Sequence, residues 1–338
     1  MLTKERFINN IFINTKIDIN QRIEKSDYLS FQIPKKNGVR IIHYLPIDSD
    51  LYNLQHKLLS NFLAQQCIPV CVKGFITGES YLSYLSPHVG SKYFLRIDIK
   101  DFFNSISENH IKKTFSDLIV LNSIKEKESL IFFLCDIVSL NNSLPQGACT
   151  SPAISNLVMA RIDQRILKYC QLLSIKYTRY ADDLLFSSIS FNFSIKLWFL
   201  RKIKYILHSN KFRLNYSKLK ISKNELSLNG FIVSEQNIHL SRKRLADIRH
   251  IISFINTNKH FIINQEYDVF LNLLNSETFI HRDLRAYPFK TLFQLNQYLC
   301  GYRSFLISWI NPILKDSFQK RLIKLINKIE NAILFLSC

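Results

Sequence analysis

Glycine is scarce in this chain, with 7 residues in 338, and proline is nearly as rare at 8. No Gly/Ser-rich stretch marks a linker to an independent appended domain. Acidic residues are also short: 26 Asp and Glu stand against 45 Lys and Arg, for a net charge of +19. That imbalance points to a polyanionic partner. Long apolar runs are missing, so no membrane span is expected, and residues 1–10 lack an apolar secretory core. The expected location is therefore cytoplasmic. Seven cysteines are scattered and odd in number. Cys67 and Cys71 are four apart, but no second pair has zinc-ligand spacing, so buried, reduced thiols are expected. Cys149 is expected to pack as a small residue.

Against these absences, 47% of the residues are hydrophobic, which argues against global disorder. The length suffices for a large core divided into more than one lobe. The most informative segment is Tyr180-Ala181-Asp182-Asp183, set between the apolar runs Ile175 to Arg179 and Leu184 to Ser188. Both runs have strand composition, which puts the two aspartates at or beside a tight hairpin turn. Neighbouring carboxylates repel, and a divalent cation between them is the usual remedy; a solvated Asp-Asp turn is the plainer reading of an isolated pair.

Two further segments bear on that choice. Tyr93 to Phe103 reads as an apolar strand ending in acids and then aromatics, which sets Asp98 near the end of a buried strand. A charge there is costly unless it is paired or metal-bound. Leu144 to Pro152 is a loop of Pro, Gly and small residues leading into a helical pattern over 153–165, and small residues admit a close backbone or base pair.

In this order the three segments resemble the palm motifs of reverse transcriptases, with details similar to bacterial retron-type enzymes. The resemblance takes in Pro34 to Arg40, Lys73-Gly74-Phe75, Leu214 to Lys218 and Leu228 to Phe231. It implies an α+β, right-hand polymerase fold: fingers over 1–95 with 107–145 packing back on them, a palm of antiparallel sheet and helices over 90–238, and a basic helical thumb over 239–338. Helical spacing is found over 107–140 and 195–210, and amphipathic helices are expected over 241–256, 291–309 and 314–336.

The resemblance also assigns roles. Asp98, Asp182 and Asp183, with Ile99 grouped beside them, would hold two Mg²⁺ ions, Asp183 less directly. Lys218 would be a general acid for pyrophosphate or bind phosphate. Arg40 with Lys35 and Lys36 would neutralise the triphosphate. Phe103 stands where the family places the aromatic that excludes a ribose 2′-hydroxyl, with Phe102 as its neighbouring alternative. Gln146 and Gly147 would lie against the templating pair, and Gly230, Phe231 and His88 would contact primer or template, with a satisfied packing residue as the equal alternative for His88. Asp101 reads as a surface acid or helix cap. The implied activity is RNA-directed DNA synthesis from dNTPs on a structured noncoding RNA, with a separate effector protein in antiphage defence. Other bacterial reverse transcriptases, of group II intron or defence type, and a non-catalytic RNA-binding scaffold are the alternatives. Two retron elements are changed: Tyr84-Leu85-Ser86-Pro87-His88 stands for Asn-Ala-x-x-His, and Leu228-Asn229-Gly230 for Val-Thr-Gly.

Overall fold

The computed structural model describes residues 3–15, 23–35, 38–277, 288–310 and 317–337. Its contacts group into two units: residues 1–33 with 39–239, and residues 34–38 with 240–338.

The first unit is built on a four-stranded antiparallel sheet with strand order β4-β5-β3-β6. Its strands are β3 (Tyr93–Asp98), β4 (Lys176–Tyr180), β5 (Asp183–Ser188) and β6 (Lys220–Lys223); β1 (Leu29–Lys35) and β2 (Gly38–Tyr44) pair separately. Every residue of β5 is buried, which explains why its sequence is a continuous apolar-to-small run rather than an alternation. Long helices supply the cover. Ser151–Leu172 contributes Ile154, Met159, Ile162 and Ile166 to the core, and Leu197–Ser209 contributes Phe199, Ile203 and Leu207. The Phe186 ring of β5 lies between Tyr177 at 4.9 Å and Phe199 at 5.3 Å. Burial of such rings is worth about 2 kcal/mol or more apiece.

The helical pattern over 107–140 resolves into two helices, Glu108–Leu118 and Ile124–Val138, begun at Ser107 and Ser123. Ser123 accepts the Glu126 amide, an N-cap the single periodic reading overlooked. A small sheet of β7 (Glu225–Leu228), β8 (Phe231–Ser234) and β9 (Ile238–Leu240) follows. The β7–β8 turn has Asn229 and Gly230 both at positive φ, 46° and 85°, the signature of a type I′ hairpin.

The second unit is helical: Arg242–Thr257, Lys259–Ile263, Tyr267–Ser276, Leu292–Ile307 and Ser317–Ser337. Ser241 and Thr291 cap the first and fourth of these. No described helix is long and apolar enough to cross a membrane. Cys67 is exposed, against the expectation of burial, whereas Cys71, Cys135 and Cys170 are buried and free.

Candidate active site

Antiparallel pairing of β3 with β5 brings the acidic segments together. Asp98, the last residue of β3, lies in register with Asp183, the first of β5. The Ile99 amide donates to the Asp182 carbonyl at 2.9 Å, so the chain leaving β3 is tied to the turn. Asp98 is 1% exposed, and its carboxylate accepts from Asn215 Nδ2 at 2.9 Å and Lys218 Nζ at 2.7 Å. Lys218 is itself half exposed, in a short 3-10 turn over Tyr216–Lys218.

Asp183 has a different partner. Arg96 donates Nε to Oδ1 at 2.8 Å and Nη2 to Oδ2 at 2.9 Å, a two-pronged pairing. Arg96 precedes Asp98 by two, hence shares its sheet face, and sits diagonally across from Asp183. Burial works against the Arg96 charge, but the Asp183 carboxylate more than offsets it and the guanidinium stays protonated. Burial also pushes the Asp183 carboxyl up while Arg96 draws it back.

Asp182 forms no ion pair among the described residues. Burial, then the charges of Asp183 and Asp98, raise its carboxyl to about 6. The turn beneath it is unusual. The positive φ expected at aspartate falls on Ala181, at 54°, the first loop position and one that favours glycine. Gly74 packs against this turn from behind: a Cβ there would lie 2.6 Å from the Ala181 nitrogen.

Three oxygen-bearing acids at one sheet end, one of them pushed toward neutrality by burial and then by the other two, suit a hard divalent cation. As arranged here, no three acidic, histidine or cysteine side chains among the described residues form a closed metal cluster. Asp183 is turned to Arg96 and Asp98 to Lys218, which leaves Asp182 without a cation of its own among the described residues. Ile99 is 1% exposed and is tied to the site by its amide.

The two phenylalanines separate. Phe102 is 4% exposed and packs on Phe212 at 6.2 Å, making it core. Phe103 is partly open, and faces Phe75 at 6.2 Å. Phe75 in turn neighbours Tyr180 at 6.5 Å. Asp101 is exposed, at the N-cap position of Phe102–Ser105 with φ 48°, without a capping side-chain bond.

The close approach anticipated at Gly147 is made by the protein's own β2. The His43 amide donates to the Gln146 carbonyl at 2.8 Å, and a Cβ on Gly147 would meet the His43 carbonyl and the Ile42 side chain. Cys149 is partly buried, with its thiol 3.7 Å from Gln55 Oε1 and pushed up by burial. Arg40 is exposed on β2. Of Lys35 only its place at the end of β1 is described, and Lys36 lies outside the described residues.

His88 takes the packing role and not that of a nucleic-acid contact. It is fully buried, with Nδ1 2.7 Å from Ser187 Oγ and Nε2 2.8 Å from Thr178 Oγ1. Burial lowers its pKa to about 3. Both ring nitrogens are used in the core, and neither can reach a ligand. Gly230 lies in the β7–β8 turn, and Phe231, 7% exposed, packs on Tyr81 at 5.1 Å.

Sequence reading missed Arg96 and Asn215, the cationic and neutral partners of the acids, and also Arg179, Asp163 and Asn156 behind the turn. A charged residue inside each of two apolar strands was the available signal: Arg96 in β3 and Arg179 in β4.

The family model for reverse transcriptase (RNA-dependent DNA polymerase) matches residues 33–233. The Retron Ec86 reverse transcriptase of Escherichia coli is 30% identical over 241 residues, 70% of this chain and 72% of that protein. The Retron Mx162 reverse transcriptase of Myxococcus xanthus is 32% identical over 172 residues, 47% of this chain and 35% of that protein. For the Retron Ec73 reverse transcriptase of Escherichia coli, the figures are 32% over 200 residues, 55% of this chain and 61% of that protein.

Proposed function

We propose that this chain, which belongs to the reverse transcriptase family and within it to the retron type, extends DNA on an RNA template at the Asp98, Asp182 and Asp183 end of its central sheet. The observation that carries the proposal is the β3–β5 register, which sets Asp98 opposite Asp183 with Asp182 in the adjoining turn. Asp98 and Asp182 would hold the divalent ions, taken to be two Mg²⁺, with Asp183 less direct and Ile99 beside them. Bound there, such ions supply charge neutralisation for the nucleotide phosphates and acidify the primer hydroxyl.

The chain's own groups do the rest. Lys218, now on Asp98, would move to the departing pyrophosphate and give it a proton or a positive charge. Arg40, with Lys35 and Lys36, would pair with the triphosphate. Phe103 would abut C2′ of the incoming sugar and exclude a hydroxyl there. Gln146 and Gly147 would border the templating pair, with β2 fixing their backbone. Gly230 and Phe231 would support the primer strand. The net charge of +19 suits a structured RNA and its DNA copy, and predicts steep loss of affinity with salt. A defence role with a separate effector belongs to the same proposal.

The test is RNA-templated primer extension by the wild type and by Asp182→Asn combined with Asp183→Asn, read alongside RNA retention. Loss of about 1,000-fold or more in extension, with RNA retained, is expected. Extension at the wild-type rate by the double variant overturns the site. Expression with the neighbouring RNA locus should yield DNA joined to an internal RNA 2′-hydroxyl; linear DNA alone would remove the retron product while sparing RNA-directed synthesis.

A further inference from the structure

Behind the Asp182 turn lies an ionic network sealed from solvent. Arg179 of β4 and Asp163 of the helix Ser151–Leu172 are both 0% exposed, and Asn156 is 1% exposed. Arg179 Nε and Nη2 donate to the Asp163 carboxylate at 2.8 to 3.0 Å, and the Tyr177 hydroxyl donates to the same carboxylate at 2.7 Å. Arg179 Nη2 also reaches Asn156 Oδ1 at 3.1 Å, while Asn156 Nδ2 donates to the Gly74 carbonyl at 2.9 Å. Finally, Arg179 Nη1 donates to the carbonyl of Ala181, two residues on, at 2.9 Å. Main-chain bonds between Cys71, Lys73 and Arg179 lay the Gly74 segment alongside β4.

A buried ion pair is weak support for stability, because a well-packed apolar substitute often serves as well. What an apolar substitute cannot do is aim donors in three directions at once, which the planar guanidinium does. One of those donors meets the carbonyl of Ala181, a non-glycine residue at φ 54°, a conformation that persists where the surroundings hold it. Gly74 lies against the preceding peptide of the same turn, where a Cβ would come within 2.6 Å of the Ala181 nitrogen. Phe75, the next residue, is also at positive φ, 61°, and faces both Phe103 and Tyr180.

We propose that Arg179 is a positioning residue: its buried network fixes the height of the Asp182 turn and, through Asn156 and Gly74, sets Phe75 against the sugar-excluding Phe103. The proposal rests on the polymerase reading above and adds a coupling between ion binding and sugar selection. Misplacing the turn should weaken ion binding and slow chemistry while leaving nucleic-acid affinity in place. Loosening the Gly74 carbonyl should instead relax sugar discrimination.

The experiment compares three variants with the wild type. Arg179→Lys keeps a cation beside Asp163 but lacks the fork that reaches Ala181. Gly74→Ala displaces the turn from outside without touching the ion pair. Asn156→Ala frees the Gly74 carbonyl. Thermal unfolding reports the fold, electron paramagnetic resonance titration reports Mn²⁺ binding, and single-nucleotide extension reports kcat, KM and the dNTP-to-rNTP ratio. For folded Arg179→Lys and Gly74→Ala, kcat should fall about 100-fold, with KM and RNA affinity within roughly threefold and Mn²⁺ binding weakened. Asn156→Ala should lower the dNTP-to-rNTP ratio more than it lowers dNTP kcat. Folded variants with wild-type Mn²⁺ binding and kcat overturn the proposal, and if Arg179→Lys fails to fold, Gly74→Ala alone decides. Should both fail to fold, the network is a folding element and the proposal falls. A wild type that extends no primer removes the polymerase reading instead, and Mn²⁺ binding still decides whether the network sets the turn.

Discussion

Removing the Asp182 charge should stabilise the ion-free protein even as it abolishes synthesis. Its carboxyl is raised from 3.8 to about 6 by burial and by the charges of Asp183 and Asp98. Between those values the folded chain holds a proton that the unfolded chain has lost, so stability falls as pH rises through the window and the full penalty is present above about 6. At about 1.4 kcal/mol for each pH unit the ceiling is about 3 kcal/mol, and 1–3 kcal/mol is the working range because the neighbouring acids relax. Asp182→Asn removes this penalty. His88 works in the opposite sense: its pKa is lowered to about 3, so protonation of the unfolded chain costs stability as pH falls below about 6.5. That contribution cancels when variant and wild type are compared at one pH. The assay is urea unfolding with chelator at about pH 7.5 and about pH 5. The variant should be more stable by about 1–3 kcal/mol at the higher pH, and the gap should narrow at the lower. Mg²⁺ should restore more stability to the wild type than to the variant. A variant less stable at the higher pH, or a gap that does not change with pH, would refute the charge-crowding argument.

Asp183→Asn relieves a burial cost too, but it also strips the half-buried Arg96 of its two-pronged partner; a smaller gain than that of Asp182→Asn by the same unfolding assay is expected, and an equal or larger gain would dissolve the pairing. Phe103→Ala should raise ribonucleotide use relative to deoxynucleotide in matched kcat/KM measurements, whereas Phe102→Ala should cost about 3–5 kcal/mol of stability; a sugar effect confined to Phe102→Ala would exchange their roles. His88→Ala leaves Ser187 and Thr178 without their imidazole partner, so stability should drop by about 1–3 kcal/mol while a folded variant keeps its RNA affinity in filter binding; lost affinity without lost stability would return His88 to the interface.

The parts of the fold that local pattern controls were legible. The runs flanking Tyr180 to Asp183 had to be strands joined by a turn, and β4 and β5 are those strands. In the basic, Leu- and Ile-rich tail the expected helices fall on Arg242–Thr257, Leu292–Ile307 and Ser317–Ser337, whereas Lys259–Ile263 and Tyr267–Ser276 were not read. Long-range partners left no such trace. Nothing in the local pattern around Arg96 says that its strand will pair with β5 in the register that points it at Asp183. Phe102 and Phe103 have one composition and two environments, and the first of them packs in the core against Phe212, more than a hundred residues away. The His88 pocket is likewise assembled from β4 and β5, far along the chain. At Gly147 the small residue was readable, but the neighbour requiring it, β2, was not.

Most of the acidic charge at this end of the sheet is balanced by the chain's own cations. Asp98 has Lys218 and Asn215, Asp183 has Arg96, and Asp163 behind the turn has Arg179. Each of these acids therefore carries its own cation into the sheet, leaving Asp182 as the least compensated charge. A divalent ion gains most where compensation is least, so Asp182 is the acid at which ion binding should register first. The two arginines are not equivalent in this scheme. Arg96 meets the carboxylate of Asp183 and so tunes charge, whereas Arg179 meets the Ala181 carbonyl and so tunes position. Exchanging Arg96 for Lys should shift the pH dependence of the site with modest change in its geometry, since a point charge can still pair with a carboxylate; the same exchange at Arg179 removes the donor that reaches the turn. A pH–rate profile that moved equally for both exchanges would erase that division of labour.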